Sequence, residues 1–301
     1  MSKENTIETI EKARLWIFLG LAFALTLIPQ LIFFLNSSYY DGEGQMRDST
    51  SFLLAYSMLT PTIAVLFTRM FTREGLALTG ENSLKLGLDL KKSTILVLAA
   101  AIFLPWLTRE LGILMDGVLF PGSIDLAKVD KEIRPILWMI PMVGLVNSIM
   151  LSFGGLGEEL GWRGYMMPKL EKIFGPVKSV VLGGIIWGAW HYVGICFGHN
   201  FGLDYWGAPW IGMLVFTVFT IFENAFLTLL TKKSNSVWPA AFAHAVNNSG
   251  TPILAFMVNE KCLPEVESRF GVISMLPMAV IGLVCLIILS KTGTRNKEKP
   301  S

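Results

Sequence analysis

Residues 15–35, LWIFLGLAFALTLIPQLIFFL, form an apolar stretch that carries no charged side chain. About 20 residues of this kind make a helix long enough to cross the hydrocarbon core of a bilayer. The stretch is longer than the apolar core of a cleaved signal peptide, and three acidic residues, Glu4, Glu8 and Glu11, precede it. It therefore predicts an uncleaved membrane-spanning helix near the N terminus.

Seven further apolar runs follow along the chain. One of them is short and reaches span length only by carrying Arg109 and Glu110 near one end. Because helices satisfy their own backbone hydrogen bonds in lipid, the pattern predicts an all-α, polytopic membrane bundle of about eight transmembrane helices. The seven runs cover residues 52–68, 94–107 (the short one), 135–155, 177–197, 208–230, 237–258 and 272–290.

The composition agrees with a membrane protein. Hydrophobic residues make up 52% of the chain and charged residues 16%, whereas about 25% of residues are charged in soluble domains. This excludes a disordered chain and an ordinary cytosolic enzyme. The net charge of +2 is too small to indicate a nucleic-acid partner. The three cysteines form no closely spaced pair, so we expect free thiols at Cys196, Cys262 and Cys285.

Lysine and arginine predict the orientation of the spans. With the N terminus inside, 18 of the 25 Lys and Arg residues fall in the inner segments and seven in the outer ones, as the positive-inside rule requires. We therefore expect a multi-pass protein of the cell membrane with both termini in the cytoplasm. Residues 1–290 form one integral membrane domain in this interpretation, and residues 291–301 form a polar cytoplasmic tail that is expected to be disordered.

Ionisable residues in or beside apolar runs are costly in a membrane and therefore mark functional candidates. The first cluster is GGLGEELGWRG, residues 154–164. In a helix, Glu159 and Arg163 stand one turn apart and can pair, whereas Glu158 is turned about 100° away and is left to point elsewhere. The alternative is a charged cap at the membrane interface just after a span.

The second cluster is WGAWH, residues 187–191, inside the fifth apolar run. Trp187 and His191 share a helix face one turn apart. Gly184 and Gly188 form a pair of small residues at the spacing that lets another helix approach closely. The alternative is a histidine that only bonds a neighbouring helix.

The third cluster is HAVNN, residues 244–248, in the seventh apolar run. His244 and Asn248 lie on one helix face, one turn apart, and can present two N–H groups to a single oxygen. Polar contacts that merely hold helices together are again the alternative.

The remaining polar groups carry weaker signals. Glu223 and Asn224 in the sixth run have no spaced partner and suggest a structural pair or a channel group. His199 falls in a short outer loop and is expected to be solvated. Arg109 and Glu110, at the outer boundary of the short run, can pair with each other or with other segments.

Together these residue types suit peptide hydrolysis, which needs a base for water, a proton for the leaving amine and donors for the oxyanion. A carboxylate and an imidazole can activate water directly or hold a metal ion that does so. No single span supplies the set, so three helices must converge. The chain has no H-E-x-x-H motif, no G-x-S-x-G motif and no Walker A loop.

Three motifs in order resemble those of the CPBP family: EELGWR at residues 158–163, an aromatic-x-x-x-His that ends at His191, and His-x-x-x-Asn from His244. This group of intramembrane proteases comprises CAAX proteases and bacteriocin-processing proteins, is also called the Abi family, and is related to the Rce1-type prenyl-protein endopeptidases. The resemblance covers roughly residues 135–258. The family usually has Phe where this chain has Trp187, which keeps an aromatic side chain at that position.

The resemblance implies a role for four residues in catalysis. Glu158 would be the carboxylate that activates water, and His191 would act together with it. His244 and Asn248 would stabilise the oxyanion that forms when water attacks the peptide carbonyl.

The resemblance also implies that Glu159 and Arg163 support the site as a pair that orients its other members. The family has been described both as metalloproteases and as glutamate proteases that need no metal. Under the first description zinc is the expected cofactor, and Glu158, His191 and His244 are its candidate ligands.

We therefore expect an intramembrane endopeptidase that opens to the cytoplasmic side. Its partners are the lipid bilayer and a peptide or protein substrate near the membrane, either prenylated or of the bacteriocin type, and not nucleic acid. The alternative is a non-catalytic membrane immunity protein that uses the same fold to bind a toxin or receptor. A channel or transporter is a third possibility, although no paired half-helix segments indicate one.

Overall fold

The chain is built from helices. The computed structural model describes residues 3–39, 46–77, 83–129, 133–249 and 252–297. No strand of a sheet occurs in these ranges, where one isolated antiparallel bridge joins Ile124 and Val258. The expected all-α class is therefore confirmed. The α-helices are α1 (Lys3–Asn36), α2 (Asp48–Phe71), α3 (Lys92–Leu119), α4 (Ile140–Glu159), α5 (Met167–Phe174), α6 (Pro176–Trp190), α7 (Tyr192–Cys196), α8 (Trp210–Ser234), α9 (Trp238–Ser249), α10 (Glu265–Phe270) and α11 (Leu276–Lys297).

Helices of other types connect these elements. A π-helix follows α4 directly, and short 3₁₀-helices lie in the longer connections. The π-helix is Leu160–Met166, and the 3₁₀-helices are Leu126–Lys128, Arg134–Met139, Ile253–Met257 and Glu260–Cys262.

Several helices are long and apolar enough to cross a membrane. Five have this length and composition among the described residues: Glu8–Asn36, Asp48–Phe71, Lys92–Leu119, Arg134–Phe174 and Trp210–Ser234. A further apolar helix in α11 is shorter, and α6 and α9, which carry the fifth and seventh apolar runs, have 15 and 12 residues. The polytopic membrane bundle is thus confirmed, while the number of eight spans and the cytoplasmic position of both termini stay predictions.

The fourth apolar run belongs to the longest helical segment. α4 continues through the π-helix into α5, so that residues 134–174 form one segment of 41 residues. Glu158 lies near the middle of this segment and is buried. Glu158 therefore does not cap the end of a helix, because the helical segment continues to Phe174. A π-helix inside a longer helix is frequently found at functional sites, and this one begins directly after Glu159.

Glycines bring helices into close contact at several places, two of which position the motifs. α4 packs along α9, and a Cβ atom at Gly155 would lie 2.9 Å from the backbone oxygen of Ala241. α6 packs along α8, and a Cβ atom at Gly184 would lie 2.4 Å from the Cα atom of Ile221. The close approach predicted from Gly184 and Gly188 is confirmed, and α8 is the helix that approaches.

A buried polar cluster ties together the end of the bundle that holds the N terminus. The Lys169 Nζ of α5 lies 2.6 Å from Glu11 Oε2 of α1 and 2.8 Å from Glu74 Oε1, which follows α2. The Tyr165 hydroxyl donates to Glu74 Oε2 at 2.7 Å. These bonds fix α5 against the start of α1 and the end of α2, so the end of α1 and the start of α2 lie at the opposite end of the bundle.

The polar tail differs from its prediction. α11 continues to Lys297, so residues 291–297 are helical rather than disordered. Residues 298–301 lie outside the described part of the chain. The division into a membrane domain, residues 1–290, and a cytoplasmic tail stays a prediction.

Candidate active site

Glu158 is held from one side by two indole rings. Its Oε2 atom accepts a hydrogen bond from Trp162 Nε1 at 3.2 Å and another from Trp187 Nε1 at 3.0 Å. Its Oε1 atom lies 3.9 Å from His244 Nε2. The side chain is only 2% exposed. Two donors therefore fix the orientation of the carboxylate and leave Oε1 to face His244.

Glu159 links the first and third motifs. Its Oε1 atom accepts from Arg163 at 2.8 Å and from His244 Nδ1 at 2.9 Å. The Arg163 guanidinium also lies over the Trp187 ring, 4.2 Å from its centroid, at a distance typical of a cation–π contact. The predicted pairing of Glu159 with Arg163 is thus present. It holds the His244 ring from the side opposite Glu158.

His191 stands at the C-terminal end of α6. Its Nδ1 atom lies 2.9 Å from the Trp187 carbonyl oxygen. A carbonyl can only accept, so Nδ1 carries the proton and Nε2 of the neutral ring keeps its lone pair. Trp190 and Phe216 pack edge-on against the ring, with centroid distances of 4.8 and 4.6 Å. The ring is therefore fixed in an orientation in which Nε2 can act as a base or a ligand.

These side chains surround one cavity of about 390 Å³. The four residues predicted to take part in catalysis, Glu158, His191, His244 and Asn248, all line it, as does Glu223. They come from α4, α6, α8 and α9, so the convergence of separate helices that the chemistry requires is present.

The cavity lies in the half of the bundle away from the N terminus. Its lining includes Gln30 near the end of α1, Leu54 and Ser57 near the start of α2, and His199 and Asn200 in the loop before α8. If the N terminus is cytoplasmic, this half faces the outside. With the predicted cytoplasmic N terminus the cavity lies nearer the outer side, and its opening to the cytoplasm stays a prediction.

The position of His199 differs from its prediction. Instead of being solvated in a loop, His199 lines the cavity, and the Tyr39 hydroxyl hydrogen-bonds its Nδ1 atom at 2.8 Å. Its ring is parallel to that of His191, with centroids 6.3 Å apart. All three histidines of the chain thus line one cavity. The spacing of the histidines in the sequence does not predict this position, because the fold of the loop after α7 places His199 beside His191.

The weaker polar candidates have separate surroundings. Glu223 is buried at the cavity, whereas the neighbouring Asn224 donates to the Val180 carbonyl oxygen at 2.7 Å and joins α8 to α6. Arg109 and Glu110 bond other segments. Arg109 donates to the Asn247 carbonyl oxygen at 2.8 Å. The Glu110 carboxylate accepts from two backbone N–H groups that open the 3₁₀-helix Ile253–Met257.

A metal ion needs several ligands that converge on one point. Within the described ranges, no group of three or more His, Cys, Asp or Glu side chains is arranged to hold one. Glu158 and His244 approach each other, but each is already bonded through its second heteroatom, to Trp187 and Glu159 respectively. The expected zinc site stays a prediction, and the proposed reaction does not depend on it.

The arrangement has the elements of a site that activates water. A carboxylate oxygen and an imidazole nitrogen face a cavity that is large enough for water and a short peptide segment. His244 and Asn248 provide N–H donors one turn apart on α9. Buried donors of this kind stabilise a developing oxyanion more strongly than exposed ones do.

Comparison with known proteins adds an independent observation. A family model described as "Type II CAAX prenyl endopeptidase Rce1-like" matches residues 135–250, the segment that contains all the motifs of this cavity. A curated protein, CAAX prenyl protease 2 of Methanococcus maripaludis, is 26% identical over 133 residues. The alignment covers 44% of this chain and 47% of that protein, so this chain matches about half the length of the relative.

The fold and the match together define a class of protein. The segment 135–250 matches the Rce1-like proteases in sequence and lies within a helical membrane bundle. The resemblance to the CPBP family of intramembrane proteases is therefore confirmed over this segment.

Proposed function

We propose that this protein is an intramembrane endopeptidase of the CPBP family in the cell membrane. The observation that carries the proposal is the common cavity. Three motifs that lie far apart in the sequence contribute Glu158, His191, His244 and Asn248 to it, and two indole N–H groups orient the carboxylate. The match of residues 135–250 to CAAX prenyl endopeptidases supports the same activity.

The proposed reaction is direct attack by water. Glu158 Oε1 and His191 Nε2 remove a proton from a water molecule in the cavity, and the water oxygen attacks the peptide carbonyl carbon. Asn248 Nδ2 and the Nε2–H of doubly protonated His244 donate to the oxyanion. Glu159 Oε1 accepts a hydrogen bond from the Nδ1–H of His244, and the two flanking carboxylates balance the charge of that ring. The proton taken from water then moves to the leaving amine as the C–N bond breaks.

The proposed substrate is a peptide or protein that presents its cleavage site at membrane depth. A prenylated C terminus is favoured over a bacteriocin-type peptide, because the matching family and the matching relative are both described by CAAX prenyl substrates. A cavity among helices long and apolar enough to span a membrane suits a substrate that partitions into the bilayer.

Substitution of the carboxylate tests the activity. In proteoliposomes that contain the purified, inserted protein, Glu158→Gln should lower the cleavage of a lipidated fluorogenic peptide by about 10²–10⁴-fold, because the amide cannot take a proton from water. His191→Ala should have an effect of similar size. Glu171→Gln is the matched control, because Glu171 forms an ion pair with Lys232 far from the cavity. Undiminished cleavage by Glu158→Gln would refute the proposal.

The same variants separate the enzyme from an immunity protein that only binds. The bonded network of Glu159, Arg163 and His244 would serve equally well to hold helices together. If Glu158→Gln rescues a cellular phenotype of the deletion strain as well as the natural sequence does, binding is the function. Metal analysis of the purified protein, together with activity after chelation, tests the zinc prediction.

A further inference from the structure

A second chamber of about 350 Å³ adjoins the catalytic cavity. The two share four lining residues, Asn200, Phe216, Phe219 and Asn247. The rest of the chamber wall is largely apolar and comes from α3, the loop before α8, the segment after α9, α10, the connection after α10 and α11. Its apolar members include Ile113, Phe201, Pro252, Ala255, Phe270, Met275 and Met278.

The only charged side chain that lines this chamber among the described residues is Arg109 of α3. Its Nη1 donates to the Asn247 carbonyl oxygen at 2.8 Å. It forms no ion pair within the described ranges. The adjacent carboxylate, Glu110, is bonded instead by the backbone N–H groups of Ile253 and Leu254. Arg109 thus places a cation at an apolar chamber with most of its five N–H donors available.

This combination of groups fits a short apolar peptide that ends in a free carboxylate. Resting on the function proposed above, we propose that the chamber binds the C-terminal residues of the substrate and that Arg109 pairs with their terminal carboxylate. Arginine pairs with carboxylates through two parallel hydrogen bonds. The apolar wall would receive the side chains of the same residues.

Arg109 of α3 contacts α9 one turn from the oxyanion donors, and this spacing bears on the length of the bound segment. Asn247, whose carbonyl Arg109 contacts, lies three residues after His244 and directly before Asn248. A helix rises about 1.5 Å per residue, so this contact is roughly 4.5 Å along the axis from His244. An extended peptide advances about 3.3 Å per residue. Along this axis, an extended segment of about one or two residues reaches from the level of His244 to the level of the Asn247 carbonyl that Arg109 contacts.

The test compares two lipidated peptides that differ only in a terminal carboxylate or carboxamide. In proteoliposomes of neutral lipid, the natural protein should cleave the carboxylate form with a kcat/KM about 10–100-fold higher, mainly through a lower KM. Arg109→Gln should cleave both forms with similar, low efficiency, and Arg109→Lys should keep part of the preference. Arg134→Gln, at an exposed arginine, is the matched control and should keep all of it. Equal cleavage of both forms by the natural protein overturns the proposal.

Binding measurements separate this proposal from the proposed activity. In the Glu158→Gln protein, a fluorescent peptide with a free carboxylate should bind more tightly than its carboxamide, and adding Arg109→Gln should remove the difference. If neither peptide is ever cleaved but this difference is found, the activity fails and the carboxylate site stands.

Two further outcomes would overturn the assignment of Arg109. If Arg109 only holds α9 through Asn247, Arg109→Gln weakens binding of both peptides equally and leaves their ratio unchanged. If the chamber takes an anionic lipid headgroup instead, acidic lipid in the vesicles removes the preference of the natural protein for the carboxylate peptide.

Discussion

At the residue scale, the two indole N–H groups on Glu158 give the site its geometry. These are the hydrogen bonds that hold the carboxylate, because among the described residues its other oxygen accepts none and lies 3.9 Å from His244 Nε2. Of the two donors, Trp187 belongs to the second motif and Trp162 to the first. The orientation of the proposed base thus depends on residues from two motifs.

Trp187→Phe tests this dependence. Phenylalanine keeps an aromatic ring beneath Arg163 but cannot donate to Glu158, so we expect about a tenfold loss of kcat in a protein that folds and inserts normally. Trp190→Phe is the matched control, because the Trp190 indole donates to Thr26 Oγ1 instead. Steady-state cleavage of the fluorogenic peptide by both variants measures the difference. An equal loss in both would show that ring packing, rather than the hydrogen bond, matters.

Helical spacing allowed some contacts to be predicted from the sequence and not others. The pairing of Glu159 with Arg163 follows from four-residue spacing, and it is present. The bond between Glu159 and His244 joins residues 85 positions apart, and only the packing of α4 on α9 creates it. The prediction that His199 is solvated was wrong for the same reason, since a loop residue has no helical periodicity from which its position can be predicted.

At the scale of elements, α6 and α8 make a close helix contact. It fixes the second motif, because α6 ends at Trp190 and His191 follows directly. The pattern of small residues predicted this contact on α6, but it could not name α8 as the partner. The sequence also could not predict the π-helix at Leu160–Met166, since no local propensity distinguishes it from the α-helix around it.

Gly184→Ala tests the importance of this contact. A Cβ atom there would lie 2.4 Å from the Ile221 Cα atom, so the helices must separate, and we expect a loss of stability of about 1–3 kcal/mol together with a loss of activity. Gly20→Ala, in the membrane helix α1, has no atom within 4 Å of the added methyl group and should be neutral. Unfolding of both variants in detergent gives the comparison. Unchanged stability of Gly184→Ala would contradict the prediction.

At the scale of the whole molecule, the number of apolar runs predicted the all-α bundle correctly, because a membrane leaves few alternatives to helices. The side on which the cavity opens could not be predicted in this way. The position of the cavity between the two membrane faces depends on how far each helix extends past its apolar run. The segment 134–174 extends well past its run, which the sequence pattern did not show.

The exposed thiol of Cys262 offers a native reporter of orientation. Cys262 follows α9 at the end of the bundle where the cavity lies, whereas Cys285 is buried. The distribution of Lys and Arg places this end outside, so a membrane-impermeant maleimide should label Cys262 in intact cells. Cys262→Ser is the control and should remove the signal. Labelling only after permeabilisation would reverse the predicted orientation and would place the cavity on the cytoplasmic side.

A single oxygen atom, Glu159 Oε1, receives hydrogen bonds from Arg163 and from His244. Loss of Glu159 would leave both donors without this acceptor, and loss of either donor would change the charge balance around the oxygen that the other one bonds. Among natural relatives, positions 159, 163 and 244 should therefore covary, and a lineage that loses one of these residues should soon drift at the other two.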